Sequence, residues 1–122
     1  MDELKILVVE DDPDGQEVVA RMLKHHNIPV DIANHAEEGI EFLEANSYSA
    51  AIIDLALPGM DGWGLLKAIQ GDPETTDMPC IAITAYHSAD VAVEAIAAGF
   101  KAYFPKPLEA TSFVRELQRI LA

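Results

Sequence analysis

Four short apolar runs in this chain lead into polar residues able to do chemistry. KILVV at 5–9 runs into Glu10, Asp11 and Asp12; AAIIDL at 50–55 carries Asp54; CIAIT at 80–84 ends on Thr84; and KAYF at 101–104 is followed closely by Lys106 and Pro107. Three adjacent carboxylates repel one another, since two unit charges about 4 Å apart cost roughly 4 kcal/mol at an effective dielectric of 20. A hard divalent cation removes that strain. Mg²⁺ takes one or two protein carboxylates and completes its octahedron with water and phosphate oxygens. A charge on Asp54, directly after a buried run, is costly unless it reaches solvent or a partner. The Thr84 hydroxyl is able to donate to a phosphoryl oxygen. The Lys106 ammonium is able to pair with Asp54 and then with a phosphoryl group. Pro107 is a candidate for a cis peptide after Lys106, because cis bonds belong almost entirely to X-Pro.

Each residue taken alone also has an ordinary structural role. The acidic triplet also reads as a solvated turn that begins a helix near Pro13 and Asp14, where negative charge suits the helix dipole. Asp54 also reads as a polar strand terminator, Thr84 as a common strand residue, and Lys106 as a surface lysine. The combination is what points to one site: an acidic group, an Asp, a Thr and a Lys at the ends of four runs that share one sheet.

The elements that must position them follow from periodicity. Strand-length runs fall at 5–9, 29–33, 50–55, 80–84 and 101–104, and the third and fourth are continuously apolar, as strands covered on both faces are. Helical stripes fall between them. Val18, Val19, Met22 and Leu23 share one in 14–25, and Ala36, Ile40 and Leu43 share one in 35–45, with Asn34 and Glu37 as a capping-box variant. Leu65, Leu66 and Ile69 lie in 62–70. Val91, Ala95 and Ile96 lie in 88–98, with Gly99 as the C-cap. Phe113, Val114, Leu117, Ile120 and Leu121 lie in 109–121. Pro58-Gly59 suits a reversal, and Asp61-Gly62 suits the entry to the third helix. Five βα units predict a single α/β domain over 1–122, a parallel sheet with helices on both faces. Ligands bind such sheets beyond the carboxyl ends of the strands, where the winding reverses.

Composition narrows the class. Acids outnumber bases 21 to 8, a formal charge of −13. Nucleic-acid binding depends on basic side chains that displace counterions, so direct binding is excluded as an expectation; attraction to an anionic membrane is excluded likewise. Cys80 is the single cysteine, so no internal disulfide forms, and its apolar run predicts a buried thiol. No signal peptide or spanning segment is visible, which makes the cytoplasm the default location. His25, His26, His35 and His87 show no metal-ligand spacing and read as surface residues. Trp63 reads as a residue at the start of the third helix and a fluorescence reporter of cation binding nearby.

The motifs KILVVEDD at 5–12, IIDLALPGMDGWGLL at 52–66, IAITAY at 81–86 and YFPKP at 103–107 resemble, in order and over essentially the whole chain, the receiver domains of two-component response regulators. The resemblance implies a flavodoxin-like fold with strand order 2-1-3-4-5. It implies a Mg²⁺ cofactor held by Asp11, Asp12, Asp54 and the backbone carbonyl of Ala56. Asp54 is then the phosphoacceptor, Lys106 the phosphate-pairing base and Thr84 the switch hydroxyl. Tyr103 is the aromatic that turns inward on activation, while Ala56 and Tyr86 flank the phosphoryl group and modulate its lifetime. The implied partners are a sensor histidine kinase or histidine phosphotransfer protein and a downstream effector. The chain is then a monomer or a weak phosphorylation-dependent dimer that catalyses its own phosphorylation and slow dephosphorylation rather than acting as a conventional enzyme. The opening Met1-Asp2-Glu3 suits a native start, and no effector domain is expected in the helix after Pro107.

Three other readings remain open at this stage. A degenerate receiver used only for docking would gain no mass from acetyl phosphate. A phosphohydrolase with Asp11 or Asp12 as nucleophile would leave Asp54 dispensable. A flavodoxin-like electron carrier needs a phosphate cradle after the first strand, where EDDPDG repels phosphate.

Overall fold

The computed structural model describes residues 4–122, so Met1-Asp2-Glu3 lie outside the described residues. Strands and helices alternate: β1 (Ile6–Val9), α1 (Pro13–His25), β2 (Val30–Ala33), α2 (Ala36–Ala45), β3 (Ala50–Asp54), α3 (Gly62–Gln70), β4 (Cys80–Thr84), α4 (Ala89–Ala98), β5 (Ala102–Pro105) and α5 (Ala110–Leu121). The strands form one sheet in the order β2-β1-β3-β4-β5, with every neighbouring pair parallel. The winding reverses at β1, which pairs with β2 on one side and β3 on the other. The sheet thus has its crevice beyond Val9 and Asp54.

Side-chain alternation along each strand sorts the core into two layers. Leu7 and Val9 of β1, with Ala51 and Ile53 of β3, face α2, α3 and α4 through Ala36, Leu65, Leu66, Ile69 and Ala95. Ile6 and Val8, with Ala50 and Ile52, face α1 and α5 through Val19, Leu23, Phe113, Val114 and Leu117. Among the described residues no helix is long and apolar enough to cross a membrane.

Helix starts follow local chemistry. Asp12 caps α1 by accepting from the Gly15 N–H at 3.0 Å, and Pro13 takes the first turn, where a missing N–H costs nothing. Ser88 caps α4 through the Val91 N–H at 3.1 Å. The start of α2 differs from the Asn34–Glu37 capping box expected. His35 Nδ1 accepts from the Glu38 N–H at 3.1 Å, and Glu38 Oε1 accepts from the Asn34 N–H at 2.6 Å. The reciprocal pair is displaced by one residue because Ala36 is the buried first residue of the helix.

Two apolar stripes are also narrower than the sequence suggests. Val18 is 43% exposed while Val19 is buried, and Ile96 is 52% exposed while Ala95 is buried. Adjacent helical residues point about 100° apart, so only one of each pair reaches the sheet.

Gly62 sets the distance between α3 and the end of β3. A Cβ there would lie 2.5 Å from the Asp54 carbonyl oxygen and 2.7 Å from the Leu55 Cα, both backbone atoms. Gly62→Ala is therefore expected to cost about 1–3 kcal/mol of folding free energy through overpacking. Chemical denaturation would read this as a lower midpoint at unchanged slope.

Candidate functional site: a carboxylate cluster gripped by Lys106

The crevice is built by strand ends that stop in register. The chain leaves β1 at Glu10, whose N–H bonds the Ala33 carbonyl of β2 at 3.1 Å. Asp54 closes β3, and the next N–H, from Leu55, bonds the Ile83 carbonyl of β4 at 2.9 Å. Beyond β5, the Lys106 N–H bonds the Thr84 carbonyl at 2.8 Å. Backbone pairing thus carries Glu10, Asp54 and Lys106 to one end of the sheet, and the peptide between Lys106 and Pro107 is cis.

The side chains converge there. Lys106 Nζ donates to Asp54 Oδ2 at 2.8 Å and also to Glu10 Oε1. The Ala56 N–H donates to Asp54 Oδ1 at 2.9 Å. Glu10 is fully buried and Asp54 is 4% exposed. Carboxylate oxygens of Glu10, Asp11 and Asp54 lie within 4.8 Å of one another, and Asp11 opens to solvent. Three carboxylates facing one ammonium leave an excess of negative charge in a site made of hard oxygen donors. That donor set fits Mg²⁺.

This arrangement corrects the acidic pair read from the sequence. The carboxylate that joins Asp11 and Asp54 belongs to Glu10, whereas the Asp12 side chain turns away to cap α1. The signal was present in the sequence: an Asp directly before Pro at a helix start is a capping residue, and the residue directly after ILVV stays with the sheet. Gly15 keeps room for Glu10, since a Cβ there would lie 2.5 Å from Glu10 Oε1.

Titration follows from the crowding. Burial, and then the neighbouring Asp54 carboxylate, push Glu10 up to about 7 against the pull of Lys106. Burial would raise Asp54 too, but hydrogen bonds from Glu10, Lys106 and the Ala56 N–H hold it below the ordinary carboxylate range. Burial works against the Lys106 ammonium, yet Asp54 and Glu10 outweigh it and hold Lys106 above its usual value. Glu10 therefore gives up its proton only around neutrality, whereas Asp54 beside it is already ionised.

The remaining residues singled out in the sequence lie around this core. Thr84 is 1% exposed, and its Oγ1 accepts from the Tyr86 N–H at 3.1 Å. Tyr86 is 75% exposed, and Ala56 is exposed. Tyr103 is half-buried, and its hydroxyl is 2.9 Å from His87 Nδ1. Trp63 is half-buried, edge-on to Phe100 with ring centroids 5.9 Å apart. Cys80 is buried, and burial pushes its thiol up to about 12. The contact of His87 with Tyr103 had no signal in the sequence, because it joins residues from a loop and a different strand.

The family model of the response regulator receiver domain matches residues 6–118 of this chain. The chain belongs to that family. As a receiver domain of two-component signalling it is 33% identical to the transcriptional regulatory protein HprR of Escherichia coli, over 98% of this chain and 51% of HprR, so it spans about half the length of that relative. It is 32% identical to an uncharacterised 14.6 kDa protein of Leptolyngbya boryana, over 96% of this chain and 89% of that protein. The receiver domain of the sensor histidine kinase PA1611 from Pseudomonas aeruginosa superposes with a TM-score of 0.88 at 28% identity, covering 98% of each chain. That structure has a magnesium ion coordinated in its active-site cleft. The flavodoxin-like sheet order expected by resemblance is the order observed.

Proposed function

We propose that this receiver domain takes a phosphoryl group onto the Asp54 carboxylate from the phosphohistidine of a sensor histidine kinase or phosphotransfer protein. The observation that carries this reading is the grip of Lys106 on the buried Asp54 carboxylate beside Glu10 and Asp11. An Asp54 oxygen attacks phosphorus, the P–O bond forms, and the P–N bond to the donor imidazole breaks in line. Positioning and charge stabilisation supply most of the acceleration in such transfers.

Lys106 holds Asp54 ionised and in place, then shares its ammonium with the incoming phosphoryl oxygens. Glu10, Asp11 and Asp54 are the carboxylates that would hold Mg²⁺, with the Ala56 carbonyl as a further ligand. Bound there, the ion supplies charge neutralisation for the phosphoryl oxygens and the crowded carboxylates. Thr84 swaps its bond with the Tyr86 N–H for one to the phosphoryl group. The change passes to a surface that includes Tyr103 and the exposed Val93 and Ile96 of α4, where an effector docks. Water finally hydrolyses the acyl phosphate. The net charge of −13 supports a protein partner rather than nucleic acid or membrane.

The test is incubation with acetyl phosphate and Mg²⁺. An intact-mass gain of about 80 Da, one phosphoryl group, is expected, and an unchanged mass overturns the proposal.

Mg²⁺ binding should depend on pH through Glu10. Its pKa of about 7 means that the group carries a proton below that pH, and a cation must displace this proton. Apparent Mg²⁺ affinity is expected to rise by about tenfold per pH unit below neutrality and to level off above it. Trp63 fluorescence titrations at several pH values measure this. In Glu10→Gln the slope should vanish and the affinity fall.

Tyr86 affects only the reset. Its N–H bonds Thr84 Oγ1 and its side chain is exposed; on this reading the ring shields the acyl phosphate from approaching water. Tyr86→Ala is expected to speed dephosphorylation several-fold by opening that approach. A timed assay showing unchanged or slower loss removes this role.

A further inference from the structure

We propose that His87 is a positioning residue that holds the Tyr103 ring at the rim and couples it to the loop after β4. This rests on the proposed reading of Thr84 as the hydroxyl drawn to the phosphoryl group.

His87 Nδ1 and the Tyr103 hydroxyl are 2.9 Å apart, and their rings lie 5.7 Å apart at an interplanar angle of 35°. One partner is able to donate in either imidazole tautomer. His87 lies in the exposed segment 85–88 between β4 and α4. That segment is tied at three points. At its start the Tyr86 N–H bonds Thr84 Oγ1 at 3.1 Å. At its end Ser88 Oγ caps α4 through the Val91 N–H at 3.1 Å. Between them, His87 reaches across to β5.

Tyr103 itself is only half-buried against the core layer that contains Ala82, its register partner on β4. A small neighbour and partial burial leave the ring weakly fixed by packing alone. The hydrogen bond to His87 then selects among its rotamers, since modest differential contacts shift populations between two conformers.

The consequence is a short physical path. When Thr84 Oγ1 turns to a phosphoryl oxygen, the Tyr86 N–H loses its acceptor and the start of the loop is released. His87 is the next residue, so its ring moves with that release and Tyr103 loses its outer anchor. Phosphorylation at Asp54 thus reaches Tyr103 by breaking two local hydrogen bonds in sequence, with no rearrangement of the sheet.

The test uses the full chain labelled with 3-fluorotyrosine. Its three tyrosines are assigned by single Tyr→Phe changes at Tyr48 and Tyr86. In the resting protein, His87→Ala is expected to move or broaden the Tyr103 fluorine signal. His87→Gln, which retains a hydrogen-bonding group, should return the signal towards the parent position. After acetyl phosphate and Mg²⁺, the Tyr103 signal of the parent should shift, and that shift should shrink in His87→Ala while the mass gain stays the same. A resting signal unmoved by His87→Ala, or a full-size shift on phosphorylation of that variant, overturns the proposal. No mass gain in the parent protein sinks the phosphoacceptor reading and the coupling with it. The resting signals alone then decide whether His87 holds Tyr103.

Discussion

An Asp54→Asn protein incubated with acetyl phosphate and Mg²⁺ should stay at its unmodified mass under conditions where the parent protein gains one phosphoryl group. An amide lacks the anionic oxygen that attacks phosphorus, so the loss should be complete rather than partial. The fold should survive, because the Asn carbonyl is still able to accept from the Ala56 N–H or the Lys106 ammonium, as Asp54 does now. The same substitution removes a charge that helps to hold Glu10 at about 7. Glu10 should then titrate lower, and the pH dependence of Mg²⁺ binding should move to more acidic values. An adduct that persists in Asp54→Asn would instead assign the nucleophile to a carboxylate after the first strand, Glu10 or Asp11. Mapping the modified peptide distinguishes these outcomes directly.

Lys106→Met should affect both chemistry and stability. Loss of the ammonium removes a preorganised charge from the place where phosphoryl oxygens gather, and phosphorylation is expected to slow by about 10²–10³-fold. In the folded protein, Lys106 is the cation that pairs with both Glu10 and Asp54, whose side chains are 0% and 6% exposed. Breaking a buried pair from one side costs about 3–5 kcal/mol. The effect here should lie at the low end, because Lys106 is 21% exposed at its side chain and Glu10 is only partly ionised near neutrality.

The pH dependence gives this prediction a sign. Lys106 lowers the pKa of Glu10, so its removal raises Glu10 further above its unfolded value of 4.5. A carboxyl with a raised folded pKa binds more protons folded than unfolded, so its contribution to stability falls as pH rises between those two values. The deficit of Lys106→Met should therefore be smaller near pH 5, where only the lost pairing with ionised Asp54 counts, and grow through neutrality. Added Mg²⁺ should recover part of it by linkage. Denaturation curves at three pH values, with and without Mg²⁺, check each part; a deficit that shrinks with rising pH contradicts the account.

Much of the fold was legible in local patterns. Continuous apolar runs at 50–54 and 80–84 identify doubly covered strands, and the stripe through Phe113, Val114 and Leu117 identifies a helix on one face, because burial repeats with the geometry of each element. Asp54, Thr84 and Lys106 were legible for a related reason: a polar residue after an apolar run must sit at a strand end, and parallel strands collect their ends on one side of the sheet.

The make-up of the acidic cluster was not fully legible in the same way. Pro13 marks Asp12 as the helix cap, but Glu10 and Asp11 are chemically similar neighbours, and their type and spacing alone do not say how each stands to Asp54. The tertiary structure decides it. Val9 pairs with Ile53 and the Glu10 N–H with the Ala33 carbonyl, which fixes the Glu10 side chain under Lys106, while Pro13 commits Asp12 to the helix start. The sequence by itself determined the alternation of elements, the charge and the residue types at the strand ends, because these depend on neighbours along the chain. Only the folded structure decided which carboxylates share the site and that His87 meets Tyr103. Those contacts join residues brought together by sheet register, and register is set by packing across the whole domain rather than by any short stretch of it.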